Sequence, residues 1–147
     1  MINYQSDVIV NRPVEQVYRL VTDVARFDDW TPMTGTHLVS GSNIRVGGQM
    51  ETTIKMGPMK QPVVFQCTEL EENRRLAFKT VSKGAMEWDG EYAFEPQGPS
   101  STRVVGSGQI RLNGILKLFE LLMAGEVRSG EAKELIKLKE LLESMSS

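Results

Sequence analysis

Two periods of apolar residues divide this chain. Up to Leu112 they recur mostly at every second position, the spacing of strands, and from Asn113 onward at every third or fourth, the spacing of a helix. Asn113 and Gly114 read as a turn and helix cap, and no proline interrupts the stretch from there to about Met145. Ile115, Leu118, Leu122, Leu135, Leu138, Leu142 and Met145 mark its apolar side. About 30 residues at a 1.5 Å rise predict a helix on the order of 45 Å long. Residues 115–124 are apolar almost all round, broken by Lys117 and Glu120, and are expected to be the most enclosed part. Gly125, Ser129 and Gly130 follow. An interior glycine costs a helix about 1 kcal/mol against alanine, so a bend or break is expected there.

Upstream, Tyr4, Val8 and Val10 share one side of a first strand, which Asn11-Arg12-Pro13 ends. Pro13 suits the first helical position, and Val14, Val17, Tyr18 and Val21 follow at helical spacing. Asp23 is placed to cap a second short helix through Val24, Phe27 and Trp30, which Pro32 stops. Thr36–Ser40 reads as a weak strand. In the next, Met50, Thr52, Ile54 and Met56 share a face. Met56-Gly57-Pro58-Met59 reads as a turn, and the flexible thioethers beside it suit an adaptable entrance. Val63, Phe65 and Cys67 share a face of the next strand, and Leu76 and Phe78 of the one after. Met86, Trp88, Tyr92 and Phe94 alternate with Glu87, Asp89, Glu91 and Glu95, the clearest one-sided strand. Gly90 falls on its apolar side, and Gly106 and Gly108 on that of the last strand, residues 102–112. A glycine facing inward allows a bend or leaves volume. One strand, two short helices, six strands in a consecutive antiparallel meander and one long helix close most simply as a curved sheet gripping that helix.

At 147 residues one domain is the default, here 1–147 with a short tail at 144–147. A net charge of −2 and a pI near 5.5 argue against nucleic acid or an anionic membrane surface as the main partner. No basic-then-apolar leader opens the chain and no run of about 18 apolar residues spans a membrane, so it reads as cytoplasmic, without stable membrane insertion. A single cysteine, Cys67, rules out an internal disulfide and fits a reducing compartment.

Little in the chain has the spacing of a catalytic motif. His37 is the only histidine, and no Cys-x-x-Cys or His-x-x-x-His pair exists, so neither a metal nor a cofactor is expected. Cys67 alternates with Phe65, the setting of a small buried hydrophobe and not of an activated thiolate. Gly47-Gly48 and Gly106-x-Gly108 lack the following Lys-Ser/Thr and helix of a phosphate loop. Asp23, Asp28 and Asp29 cluster near Trp30, where caps and surface charges account for them. Arg74 and Arg75 are matched by nearby glutamates, and Lys139 and Glu143 sit four apart, as weak helix pairs do.

Four local patterns carry a family resemblance: Val10-Asn11-Arg12-Pro13-Val14-Glu15-Gln16-Val17-Tyr18 with Asp23 and Trp30 after it; Val46-Gly47-Gly48; Glu69-Leu70 with Asn73-Arg74-Arg75-Leu76-Ala77-Phe78; and Tyr92-Ala93-Phe94-Glu95-Pro96 with Thr102-Arg103-Val104, ahead of the terminal Leu138-Lys139-Glu140-Leu141-Leu142-Glu143. In their order and spacing the chain resembles the START/birch-pollen-allergen-like (SRPBCC) superfamily, and within it the polyketide cyclase/dehydrase-like branch. The resemblance implies an α+β helix-grip fold, a curved seven-stranded antiparallel sheet with two short helices after strand 1, wrapped on a long C-terminal helix over an apolar cavity. Members bind or transport lipids, quinones and other apolar molecules, some cyclise or dehydrate aromatic polyketides, and one branch activates a chaperone ATPase. No catalytic residue carries over by position.

On residues alone, the inward aromatic and methionine set reads as core. The resemblance makes it the expected lining of a cavity: Phe27, Trp30, Met50, Met56, Phe65, Phe78, Trp88, Tyr92, Phe94, Leu118, Phe119 and Leu122. Tyr92 and Trp88 add a hydroxyl and an indole N–H. The implied partner is a small apolar molecule. The leading expectation is a carrier, ahead of a cyclase/dehydratase and a protein-interaction module, and a homodimer is compatible with the chain.

Overall fold

The computed structural model describes residues 1–56, 59–81 and 84–145, without the side chains of Met56 and Met59. Among them seven strands form one antiparallel sheet: β1 Ile2–Val10, β2 Met33–Leu38, β3 Gln49–Met56, β4 Met59–Glu71, β5 Arg75–Thr80, β6 Met86–Pro96 and β7 Thr102–Leu112. Two helices, α1 (Val14–Val21) and α2 (Glu120–Ser144), and two 3-10 helices, Val24–Asp29 and Gly114–Phe119, complete it. This is the α+β helix-grip architecture expected.

Strands β2 to β7 pair in chain order, whereas β1 pairs with β7, in the sheet order β1-β7-β6-β5-β4-β3-β2. The two short helices after β1 carry the chain to the far edge, so the meander runs back toward its own beginning. Alternation decides which face is covered: Met86, Trp88, Gly90, Tyr92 and Phe94 of β6 turn inward, as do Val104, Gly106, Ile110 and Leu112 of β7. Asp23 accepts a hydrogen bond from the Ala25 amide at 3.2 Å, the cap its position predicted, although the helix it starts is 3-10. Pro13 stands one place earlier than expected, just before α1, where its carbonyl accepts from Gln16 and Val17.

The terminal helix differs from expectation in three ways. Asn113 does not cap it; its side-chain amide donates to the Gly84 carbonyl and to Glu87, and a 3-10 turn precedes α2. No break occurs at Gly125–Gly130, because α2 runs unbroken through Ser144, also absorbing the start of the expected tail. Residues 115–124, expected to be the most enclosed, are largely exposed, Leu118 at 79% and Leu121 at 92%, with Leu116, Met123 and Ala124 half-buried.

The reason lies in how α2 lies on the sheet. It follows β1 in the same direction: Arg128 Nε donates to the Asn3 carbonyl, Lys139 Nζ to that of Ile9, and the Asn11 amide donates to Glu143. The turns before about residue 123 therefore extend past the start of β1, leaving Leu118, Leu121 and Leu122 uncovered. Farther along, Leu135, Leu138 and Leu142 bury fully. The last turn is held by Arg12, whose guanidinium donates to the carbonyls of Glu143 (2.7 Å) and Met145 (3.0 Å), satisfying acceptors a helix end leaves free. The expected Lys139–Glu143 pair forms at 2.7 Å.

Because α2 is continuous and a Cβ at Gly125 or Gly130 meets nothing within 4 Å, alanine at either position should stabilise the fold by about 1 kcal/mol. Urea unfolding of the single variants measures this directly.

Candidate functional site

Three inward glycines each stand opposite a large ring in the strand register. Gly90 pairs with Phe78, Gly108 with Tyr4, and Gly106 with Tyr92. A side chain at Gly90 would strike the Phe78 ring at 2.7 Å, and one at Gly108 the Tyr4 hydroxyl at 2.5 Å. At Gly106 the obstacle comes from the helix: a Cβ would lie 2.5 Å from Glu131 Oε1. The volume these glycines vacate is thus occupied by two aromatic side chains and one carboxyl group.

Glu131 and Glu134 sit one turn apart on α2 and are 7% and 4% exposed. A hydrogen bond joins them, and the Tyr92 hydroxyl donates to Glu134 Oε2 at 2.9 Å. Burial, then the charge of Glu131, pushes Glu134 well above the ordinary carboxylate value, which favours its protonated form with the proton toward Glu131. Burial raises Glu131 as well. Tyr92 and Tyr4 are pushed up by burial and by the same two carboxyls, so both remain phenols. Tyr4 accepts the Trp88 indole N–H at 2.6 Å, closing a polar seam in an apolar interior.

Beside this seam lies a cavity of about 170 Å³ between the sheet and α2. Ile54, Trp88 and Ile110 wall it from the sheet, Met123, Val127, Gly130, Glu131 and Glu134 from the helix, with Pro32, Lys55 and Glu126 at its exposed rim. A polar hollow of about 530 Å³ between α1 and the β2–β3 connection is larger, but its Arg19, Asp23 and His37 are all exposed. Space, apolar lining and buried ionisable groups coincide only at the α2 cavity among the described residues.

Of the expected lining residues whose side chains are described, Trp88 alone reaches this cavity. Phe27, Trp30, Met50, Phe65, Phe78, Tyr92 and Phe94 are buried in the core, linked by edge-on ring contacts such as Trp30–Tyr92 and Phe65–Phe78. Leu118, Phe119 and Leu122 are largely exposed, on the overhanging start of α2 and the turn before it. The Met56 side chain and the Gly57-Pro58 turn lie outside the described residues. The hydroxyl of Tyr92 and the N–H of Trp88 are present as expected but are engaged by Glu134 and Tyr4. Cys67 is buried, and burial raises its thiol; His37 is exposed, with Nδ1 near the Gly35 carbonyl. Asp28 accepts from the Gly35 amide and Thr36, and Asp29 pairs with Arg26. None of these four enters the site.

The sequence reading passed over Glu131 and Glu134. A signal was present: they continue the Leu135, Leu138, Leu142 stripe backward at three- and four-residue steps, and the inward Gly106 marks volume that Glu131 fills. Among the described residues no cluster of three or more His, Cys, Asp or Glu could hold a metal, and no helix is long and apolar enough to cross a membrane.

A family model described as "Polyketide cyclase / dehydrase and lipid transport" matches residues 1–143. The chain belongs to this family. Solved structures superpose on it over nearly its whole length. A protein from Thermus thermophilus shares 20% identity at a TM-score of 0.82, covering 99% of each chain. A START superfamily protein from Mycobacterium smegmatis shares 16% at 0.78, covering 99% of this chain and 100% of its own. The Zhui aromatase/cyclase from Streptomyces sp. R1128 shares 12% at 0.78, covering 96% and 93%. At these identities they establish the fold. Among curated proteins none matches significantly in sequence.

The raised Glu134 has a consequence for stability. The fold keeps its proton where the unfolded chain, with an ordinary value of 4.5, has lost it, so stability is full below that pH and falls as pH rises toward the folded value. Glu134→Gln, neutral throughout, should melt above the wild type by a margin that widens between about pH 5 and pH 8. Paired calorimetric scans across that range test the sign; a margin that narrows would show Glu134 ionised in the fold.

Proposed function

We propose that this family member binds a small, mostly apolar molecule in the cavity between the sheet and α2, with the Glu131–Glu134 pair as its polar contact. One observation carries the reading: the pair lines an otherwise apolar cavity that reaches solvent. Apolar walls with a few convergent polar groups are the general form of a small-molecule site. A cavity of this size suits one ring or a short chain, since an apolar cavity of about 150 Å³ accepts benzene. The family's description, which includes lipid transport, supports the same reading.

The pair also favours a second reading, a cyclase or dehydratase. A protonated Glu134 could donate to a departing hydroxyl while Glu131 accepts a proton, the two roles such chemistry divides. The Zhui aromatase/cyclase among the structural neighbours is in keeping with it. Binding comes first in either case, and the exposed Ile115, Leu118, Leu121 and Leu122 leave room for a protein contact alongside it.

Native mass spectrometry of freshly purified protein, followed by extraction, would reveal a retained molecule. Independently, toluene titrated into the protein should change the fluorescence of Trp88 at the cavity wall. Val127→Trp, which places an indole in the space, should abolish that response with little loss of melting temperature. A response that survives the substitution would locate binding elsewhere.

A further inference from the structure

The hydrogen-bond inventory of the cavity is lopsided. Glu131 and Glu134 present four carboxyl oxygens, and their hydrogen-bond donors are the Tyr92 hydroxyl and the proton the two share. Each carboxylate oxygen accommodates about two hydrogen bonds, so acceptor capacity is left over. The donors nearby are already used: Trp88 N–H on Tyr4, Tyr92 O–H on Glu134, and the Glu134 proton on Glu131. The Trp30 N–H, buried without a partner, is not part of the lining. A ligand with only acceptor atoms would therefore meet no free donor on the inner wall.

Charge is uneven in the same direction. No ion pair joins Glu131 or Glu134 to a cation among the described residues. The groups packed beside the pair from the sheet are neutral: Tyr92 from β6, Tyr4 from β1, and Gly106 from β7. At the rim Lys55 and Glu126 are exposed and of opposite sign. A buried carboxyl with no counter-charge is costly to ionise, and that cost is removed when a cation arrives with its own hydrogen-bond donors.

Resting on the cavity as the binding site, we propose that its ligand is a small apolar amine, bound as the ammonium. The nitrogen donates to Glu131 and Glu134, and the hydrocarbon body lies against Trp88, Ile110 and Val127. An ammonium has three donors and no acceptor, the complement of this wall. Its charge favours the ionised form of the pair, so binding proceeds with proton loss from Glu134 wherever the free pair is fully protonated. A body of about six to eight carbon atoms fills the space.

The test compares n-hexylamine with n-hexanol, of equal chain length, by isothermal titration calorimetry on the full chain at neutral pH. Wild-type protein should bind hexylamine roughly tenfold or more tighter than hexanol, the range of a charge-assisted hydrogen bond. Glu131→Gln should remove that preference, lowering hexylamine affinity by far more than hexanol affinity. Because the wild-type comparison needs no variant, poor folding of the substituted protein does not compromise it. Equal binding of both molecules, or tighter binding of hexanol, overturns the amine proposal and leaves the cavity reading standing. Binding of neither overturns both.

Discussion

The contact between Tyr92 and Glu134 is a hydrogen bond between the sheet and α2 made wholly inside the protein. It places a proton-holding carboxyl group in the interior, and the surroundings are arranged around that. Gly106 leaves room for Glu131, and Gly108 leaves room for Tyr4, which takes the Trp88 N–H. The leucines that anchor α2 begin only one residue after Glu134. Burial of an acid is expensive, and here hydrogen bonds from Tyr92 and between the two carboxyls offset part of that cost.

Helix α2 is secured unequally along its length. Its last turns are fixed by Leu138 and Leu142 in the core and by Arg12, Lys139 and Asn11 at the surface. Its first turns overhang the sheet, held through Glu120, which accepts from the Leu112 amide and the amino group of Met1. The cavity lies at the change from one regime to the other, bounded by Met123 on the overhanging side and Glu134 on the anchored side. Elements with few buried contacts open most readily, so access to the cavity is expected from the overhanging end.

Strand alternation made the sheet legible, and the aromatic stripe of β6 faces the core as its period required. What alternation does not contain is which neighbour fills an inward gap. Gly106 and Gly108 announced vacant volume, yet only the register and the helix position identify Tyr4 and Glu131 as its occupants. Glu131 and Glu134 escaped notice because glutamate is ordinarily a solvent-facing helix residue, and its burial depends on tertiary neighbours. The reverse holds for Leu118, Leu121 and Leu122, since an apolar segment buries only where another element reaches it. Gly125 and Gly130 weaken a helix without breaking one whose other turns are anchored.

The glycines and the groups they admit also bind distant parts of the chain into a common inheritance. Residues 106 and 131, and 90 and 78, are well separated in sequence, yet each pair shares one volume. A methyl group gained at the first member is tolerable only if the second has become smaller. In descendants of this chain such pairs should drift together, so that the outline of the polar seam is kept as correlated changes even where the individual residues are not.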